Sequence, residues 1–186
     1  MVVPVDVAVF AALAAASFPA HLLADHPFQS TSCAEAKGEH GRAGRAACAR
    51  HVATVVAFQA AAVGLIALVG GLSLNPLAVA VGLALTGWSH YWIDRRFTAA
   101  GLWEAIGRTA FARLGAPRPD HDDNPSLGSG FYRMDQDWHT LWVALTALVM
   151  ASTGLMLNIL LCLTVMVMVA AILASRHGRR LLAQPS

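Results

Sequence analysis

Five apolar runs, separated by segments that carry arginine, limit the folds open to this chain more than any other feature. They are Val2–Leu23, Val52–Gly70, Pro76–Tyr91, Leu141–Ala151 and Ile159–Ala174. A membrane-crossing helix needs about 20 predominantly apolar residues. The last two runs together are too long for one crossing, and "ASTG" at 151–154 with Asn158 supplies the turn between them. The fourth becomes long enough when it begins near Gln136. Only 13% of the residues are charged, against about 25% in a soluble domain. The sequence predicts an all-α integral membrane bundle of about five transmembrane helices, in a single domain. The spans fall near 2–25, 48–70, 75–96, 135–153 and 158–175.

The distribution of charge orients this bundle. Lys37, Arg42, Arg45 and Arg50 lie between spans one and two. Arg95, Arg96, Arg108, Arg113, Arg118 and Arg133 lie between spans three and four, and Arg176, Arg179 and Arg180 in the tail. Five spans put all thirteen basic residues on one side, and the positive-inside rule makes that side cytoplasmic. The expectation is a multi-pass protein of a bacterial inner membrane, amino terminus outside and carboxyl terminus inside. Its first partner is the lipid bilayer, and no nucleic acid is expected. Residues 1–20 read as a span and not as a cleaved leader: they lack a basic start, and cleavage after "SFPA" would cut the helix carrying the first motif.

The cytoplasmic loops are expected at 28–47 and 97–134. Within the second, Leu102, Trp103, Ile106, Ala110 and Leu114 recur at helical spacing, which predicts a short helix in the membrane interface. "APRPDHDDNPSLGSG" after it reads as an exposed loop. All five tryptophans fall near the inner boundary, as an interfacial belt would. Arg95 and Arg96 are expected to anchor span three at lipid headgroups. Cys33, Cys48 and Cys162 have no metal-binding spacing and face a reducing compartment, so they are read as bystanders.

Polar residues inside the apolar runs carry the chemistry. His21 and Asp25 are four apart at the inner end of span one, hence on one helix face. His90 and Asp94 repeat that order and spacing at the inner end of span three. Asp135 and His139 have the same spacing in reverse order at the start of span four. An antiparallel helix needs that reversal to place its aspartate outermost and its histidine one turn deeper. His51 opens span two at the same end. Ionisable groups within spans are costly and face the bundle interior, paired or coordinated.

His21, Asp25, His51, His90, Asp94, Asp135 and His139 are therefore candidate metal ligands. Imidazole and carboxylate suit zinc, manganese or iron, and seven ligands exceed the four of one tetrahedral ion, so one or two divalent ions are expected. Asp25, Asp94 and Asp135 are the candidate proton acceptors in catalysis. Gln29, Lys37 and Gln136 are candidates to place a substrate or orient a ligand, although a lysine in a polar loop is ordinarily just solvated. The bland alternative is a set of helix-end polar contacts that only fix packing. "DHDD" at 120–123 reads as a flexible acidic loop, and His26 and His40 have no spaced partner.

"HLLADHPFQ", Lys37, His51, "SHYWID" and "DQDWH" together resemble a family of small bacterial and phage membrane proteins whose function is not established. Its signature runs His-x-x-x-Asp-x-x-x-Gln, a lone His, His-x-x-Ile-Asp and Asp-Gln-x-x-His, and the likeness covers most of 15–145. Ala24 stands where the family often has glycine and His26 where it often has an aromatic. The family's layout is similar to membrane-bound metal-dependent hydrolases, so the resemblance implies that class by analogy. The expected function is hydrolysis of a phosphoester or similar bond in a lipid or amphiphilic substrate at the cytoplasmic surface. The rivals are a divalent-cation or proton transporter or sensor, and a non-catalytic membrane module.

Overall fold

The computed structural model describes residues 5–116 and 129–184. It is all-α, 82% helical, with eight helices and no strand among the described residues. The acidic stretch 120–123 lies outside them.

Helix α1 (Val7–Asp25) starts on Asp6, whose carboxylate accepts from the Ala8 and Val9 amides at 2.9 and 3.1 Å. Pro19 sits inside it and removes one backbone donor a half-turn before His21. Helix α2 (Thr31–Ala36) is capped by Ser30. Helix α3 (Gly41–Gly70) ends at Gly71, whose φ of 62° is the left-handed closure that glycine adopts without strain. Asn75 then caps α4 (Pro76–Asp94), with proline in the first turn where its missing N–H costs nothing. Two short helices follow, α5 (Phe97–Ala105) and α6 (Thr109–Ala112). Helix α7 (Gly130–Met150) is capped by Ser129, and α8 (Gly154–Leu182) is the last helix among the described residues.

Helices α1, α3, α4 and α7 form the central bundle: α1 packs on α3 and α7, and α4 packs on the same two. One apolar cluster, built on Leu85, Ile93, Trp142 and Met168, joins α4 and α7 to α8. A second, of Leu13, Val63, Ala147 and Met150, closes the opposite end. Three helices, α1, α3 and α8, are long and apolar enough to cross a membrane. At most 28% of their most apolar windows is buried inside the protein, so most of that apolar surface faces outward. This is the mark of a membrane protein. Helices α4 and α7 do not reach the same standard, because the last turns of α4 and the first turns of α7 carry the polar residues of "SHYWID" and "RMDQDWH".

Several sequence expectations change on folding. The loop expected at 28–47 is largely helical, comprising α2 and the first two turns of α3. The expected interfacial helix divides at Gly107, where φ is +69°. Its first part, α5, packs along α8 and buries Ala99, Leu102 and Trp103. Ile106 and Leu114 stay exposed. Close approach of two glycines makes this seam: a Cβ on Gly178 would overlap the Gly101 carbonyl oxygen. Ser175 Oγ donates to Thr98 O at 2.7 Å across it. The tryptophans do not form a belt, since Trp103, Trp138 and Trp142 are buried in the core while Trp88 is exposed. Arg95, expected at lipid headgroups, is buried instead, whereas Arg96 is exposed. Arg95 donates to Glu39 O, and Arg96 donates to Ala34 O at 2.8 Å, so both tie α2 and its following turn to the end of α4.

Candidate metal centre

The 3.6-residue period stacks His21 over Asp25 on α1, His90 over Asp94 on α4 and His139 over Asp135 on α7. His51 comes from α3. The structure brings all seven side chains to one place at one end of the central bundle. Six are buried, and Asp135, with its side chain 16% exposed, is the most accessible.

His51 Nε2 stands 3.0 Å from Asp25 Oδ1, 2.9 Å from His90 Nε2 and 3.3 Å from Asp94 Oδ2. His90 Nε2 lies 3.2 Å from the same Asp94 oxygen. His139 Nε2 is 3.7 Å from Asp94 Oδ1 and 3.5 Å from Asp135 Oδ2. The rings of His90 and His139 are 4.1 Å apart, and those of His21 and His139 4.9 Å. Three sets have ligand atoms within 4.8 Å of one another: His21, His90 and His139; Asp25, His51 and His90; Asp94, Asp135 and His139. The first offers only nitrogen and lies deep. The other two add carboxylates and lie toward the opening.

These residues fit a cation on grounds internal to the protein. His21 Nε2 and His139 Nε2 are buried without a hydrogen-bond partner, and Asp94 Oδ2 is shared between the His90 and His51 ring nitrogens at 3.2 and 3.3 Å. Buried polar atoms are nearly always satisfied, so two orphaned ring nitrogens in one cluster call for an explanation. The network orients the Gln29 amide with its oxygen inward, 3.0 Å from His51 Nδ1 and 3.2 Å from His51 Nε2. A neutral imidazole carries one N–H. His51 Nε2 stands among two carboxylate oxygens and a second ring nitrogen, the electron-rich surroundings that a divalent ion takes up.

Three further side chains attach to this cluster. Gln136 Nε2 donates to Asp25 Oδ2 at 2.9 Å. Gln29 O also accepts from Lys37 Nζ at 3.1 Å. Lys37 is 8% exposed and not solvated; its ammonium lies 3.0 Å from Asp94 Oδ1 and 3.9 Å from Asp25 Oδ1. Burial alone would lower its pKa, but the facing Asp94 and Asp25 carboxylates outweigh that and raise it, so the lysine stays charged. None of the three cysteines enters a ligand set.

The cluster opens on a cleft of about 590 Å³. Asp25, Lys37, Asp94 and Asp135 face it from the floor, and Arg96, Phe131 and Tyr132 from the walls. His26, which has no partner by spacing, pairs with Tyr132 Oη at 2.7 Å and ties the end of α1 to α7.

Residues 13–170 match the family described as a protein of unknown function (DUF3307). The chain belongs to this family. No curated protein and no solved structure matches it. The matched stretch of this DUF3307 protein contains all seven clustered side chains together with Gln29, Lys37 and Gln136.

Sequence reasoning missed a buried polar line beside the cluster in this DUF3307 protein. Gln59 is fully buried; its Oε1 accepts from Thr86 Oγ1 at 3.1 Å, and Thr86 Oγ1 stands 3.3 Å from Thr146 Oγ1. Gln59 and Thr86 border a small void shared with His21, His90 and His139. The signal was present, because Gln59 is an amide alone in an apolar run, eight residues from His51 and so on its face.

Proposed function

We propose that this protein is a five-helix membrane protein with a divalent-metal centre at its cytoplasmic rim, hydrolysing a phosphoester or similar bond in a lipid or amphiphile. In this reading α4 and α7 cross the bilayer beside α1, α3 and α8, and the basic residues face the cytoplasm. One observation carries it above the others: two buried ring nitrogens without partners, His21 Nε2 and His139 Nε2, sit behind carboxylates that line a cleft large enough for a small ligand.

His21, His90 and His139 would hold an ion at depth, and Asp25, Asp94, Asp135 and His51 one nearer the opening. When bound, a divalent ion supplies Lewis acidity toward a phosphoryl oxygen and acidifies water toward neutral pH. Asp135, the most accessible of the carboxylates, accepts the proton of the attacking water. Gln136 holds Asp25, and Gln29 holds the His51 ring. The cleft walls accept both a charged head and an apolar tail, as a substrate at a membrane surface requires.

The test is hydrolysis of a chromogenic phosphodiester and of phospholipid by detergent-purified, metal-loaded protein. Asp94→Asn and His90→Ala are expected to lose about a hundredfold or more in rate. Intact activity in both variants overturns the assignment.

The line of Gln59, Thr86 and Thr146 favours a second reading, in which ions or protons pass outward from the cluster. Against it, Leu13, Val63, Ala147 and Met150 pack across the far end of that line. Transport sites also tend to lie near the bilayer midplane between repeated halves, and this chain has no internal repeat. Metal uptake into vesicles that depends on His51 would put transport first.

A further inference from the structure

We propose that Lys37 is a resident counter-ion of the metal centre, which gives up the Asp25 and Asp94 carboxylates when metal binds and then serves a phosphate-bearing anion in the cleft. This rests on the metal-centre reading above.

The first support is competition for the same lone pairs. Lys37 Nζ contacts Asp94 Oδ1 at 3.0 Å and approaches Asp25 Oδ1 at 3.9 Å. Those two aspartates belong to the carboxylate-bearing ligand sets. A divalent ion and an ammonium repel each other at such separations, and the ammonium is the mobile partner. It stands on a four-carbon stem, at the residue that ends a six-residue helix.

Charge balance gives the direction of the hand-over. Three carboxylates face one ammonium at the floor of the cleft, and the imidazoles add no charge when neutral. The floor is then negative and repels anions. One divalent ion cancels the surplus, and the freed ammonium makes the cleft attractive to an anion.

The destination is also visible. Lys37 and Arg96 both line the cleft. Arg96 has a φ of +46° with a ψ of −51°, a positive-φ backbone that is strained for side chains other than glycine, and its stem lies against Gly38. A Cβ on Gly38 would meet the Arg96 side chain at 2.6 Å, so the close fit holds the guanidinium over α2. Two cations beside a metal position suit an anion with several charged oxygens, which is a phosphate and not a simple carboxylate.

The experiment is calorimetric titration of the detergent-purified full chain, stripped and then loaded with zinc or manganese. The probes are the metal alone, inorganic phosphate, and short-chain phosphatidic acid. Stripped wild type should not bind phosphate, and loaded wild type should. Lys37→Gln should bind metal at least as tightly as wild type and bind phosphate about tenfold or more weakly, the loss of one charge-assisted hydrogen bond. Lys37→Arg, which keeps the charge, should stay within a few fold of wild type, and it supplies the comparison if the glutamine variant does not fold. Tighter binding of phosphatidic acid than of inorganic phosphate identifies a lipid headgroup; equal binding identifies a soluble ester. A folded Lys37→Gln protein that no longer binds metal overturns the proposal, as does one that binds phosphate like wild type. Phosphate binding by the stripped wild type sinks the hand-over alone, whereas wild type that binds no metal sinks the metal centre itself.

Discussion

His51 Nε2 faces His90 Nε2 at 2.9 Å, and a single oxygen, Asp94 Oδ2, stands 3.3 Å from the first and 3.2 Å from the second. A shared proton can settle these two nitrogens but not the orphaned His21 Nε2 and His139 Nε2 beside them. A bound divalent ion settles several at once, so it should stabilise the fold. Loading at about 100 times the dissociation constant adds roughly 2.7 kcal/mol to a two-state fold. Thermal melts in detergent should show the loaded protein above the stripped one, with the gap gone in His90→Ala. Equal melting of loaded and stripped wild type would contradict this.

Helix α5 should depend on α8. A Cβ on Gly178 would collide with the Gly101 backbone, which cannot step aside as a flexible side chain can. Gly178→Val is expected to cost about 2 kcal/mol or more by overpacking, a fall of roughly 5 °C in melting temperature. The control is Gly64→Ala, where the added methyl meets nothing; it should hold or raise stability by up to about 1 kcal/mol through helix propensity. A Gly178→Val protein that melts like the control would disprove the seam.

Gln59 separates the enzyme reading from transport. Its Nε2 is buried and unpartnered, while Thr86 keeps a second neighbour in Thr146. Gln59→Leu removes an unsatisfied donor at the cost of one acceptor, so stability should change by no more than about 1 kcal/mol. Metal content and hydrolysis should hold. Loss of vesicle metal uptake in this variant, with the ligands untouched, would speak for a conducting path.

The seven clustered side chains were legible because helical period and antiparallel reversal are written into the residue order. His21–Asp25, His90–Asp94 and Asp135–His139 need no tertiary knowledge to be matched. Lys37 was not legible as a buried group, because a lysine in a polar loop has no period to place it. Its burial follows from α2 folding back under Arg95 and Arg96, with the chain turning through a positive φ at Arg96. The partner of α5 was hidden for a related reason. Gly101 and Gly178 are far apart in sequence, and glycine leaves no mark in a hydrophobic pattern.

The five-crossing topology has its own check. Reporter fusions at the amino terminus and within 70–75 should report the outside, and fusions at 37–40 and after Arg180 the cytoplasm. A fusion near Ser152 that reports the cytoplasm would remove α7 and α8 as separate crossings.

The most direct measurement of the central claim is elemental analysis of detergent-purified protein, beside a His21→Ala, His139→Ala double variant. One or two equivalents of zinc, manganese or iron per chain in wild type, absent from a variant that still elutes and melts as a folded protein, is the predicted result. Wild type with no stoichiometric metal, after expression and purification with these ions supplied, would contradict it.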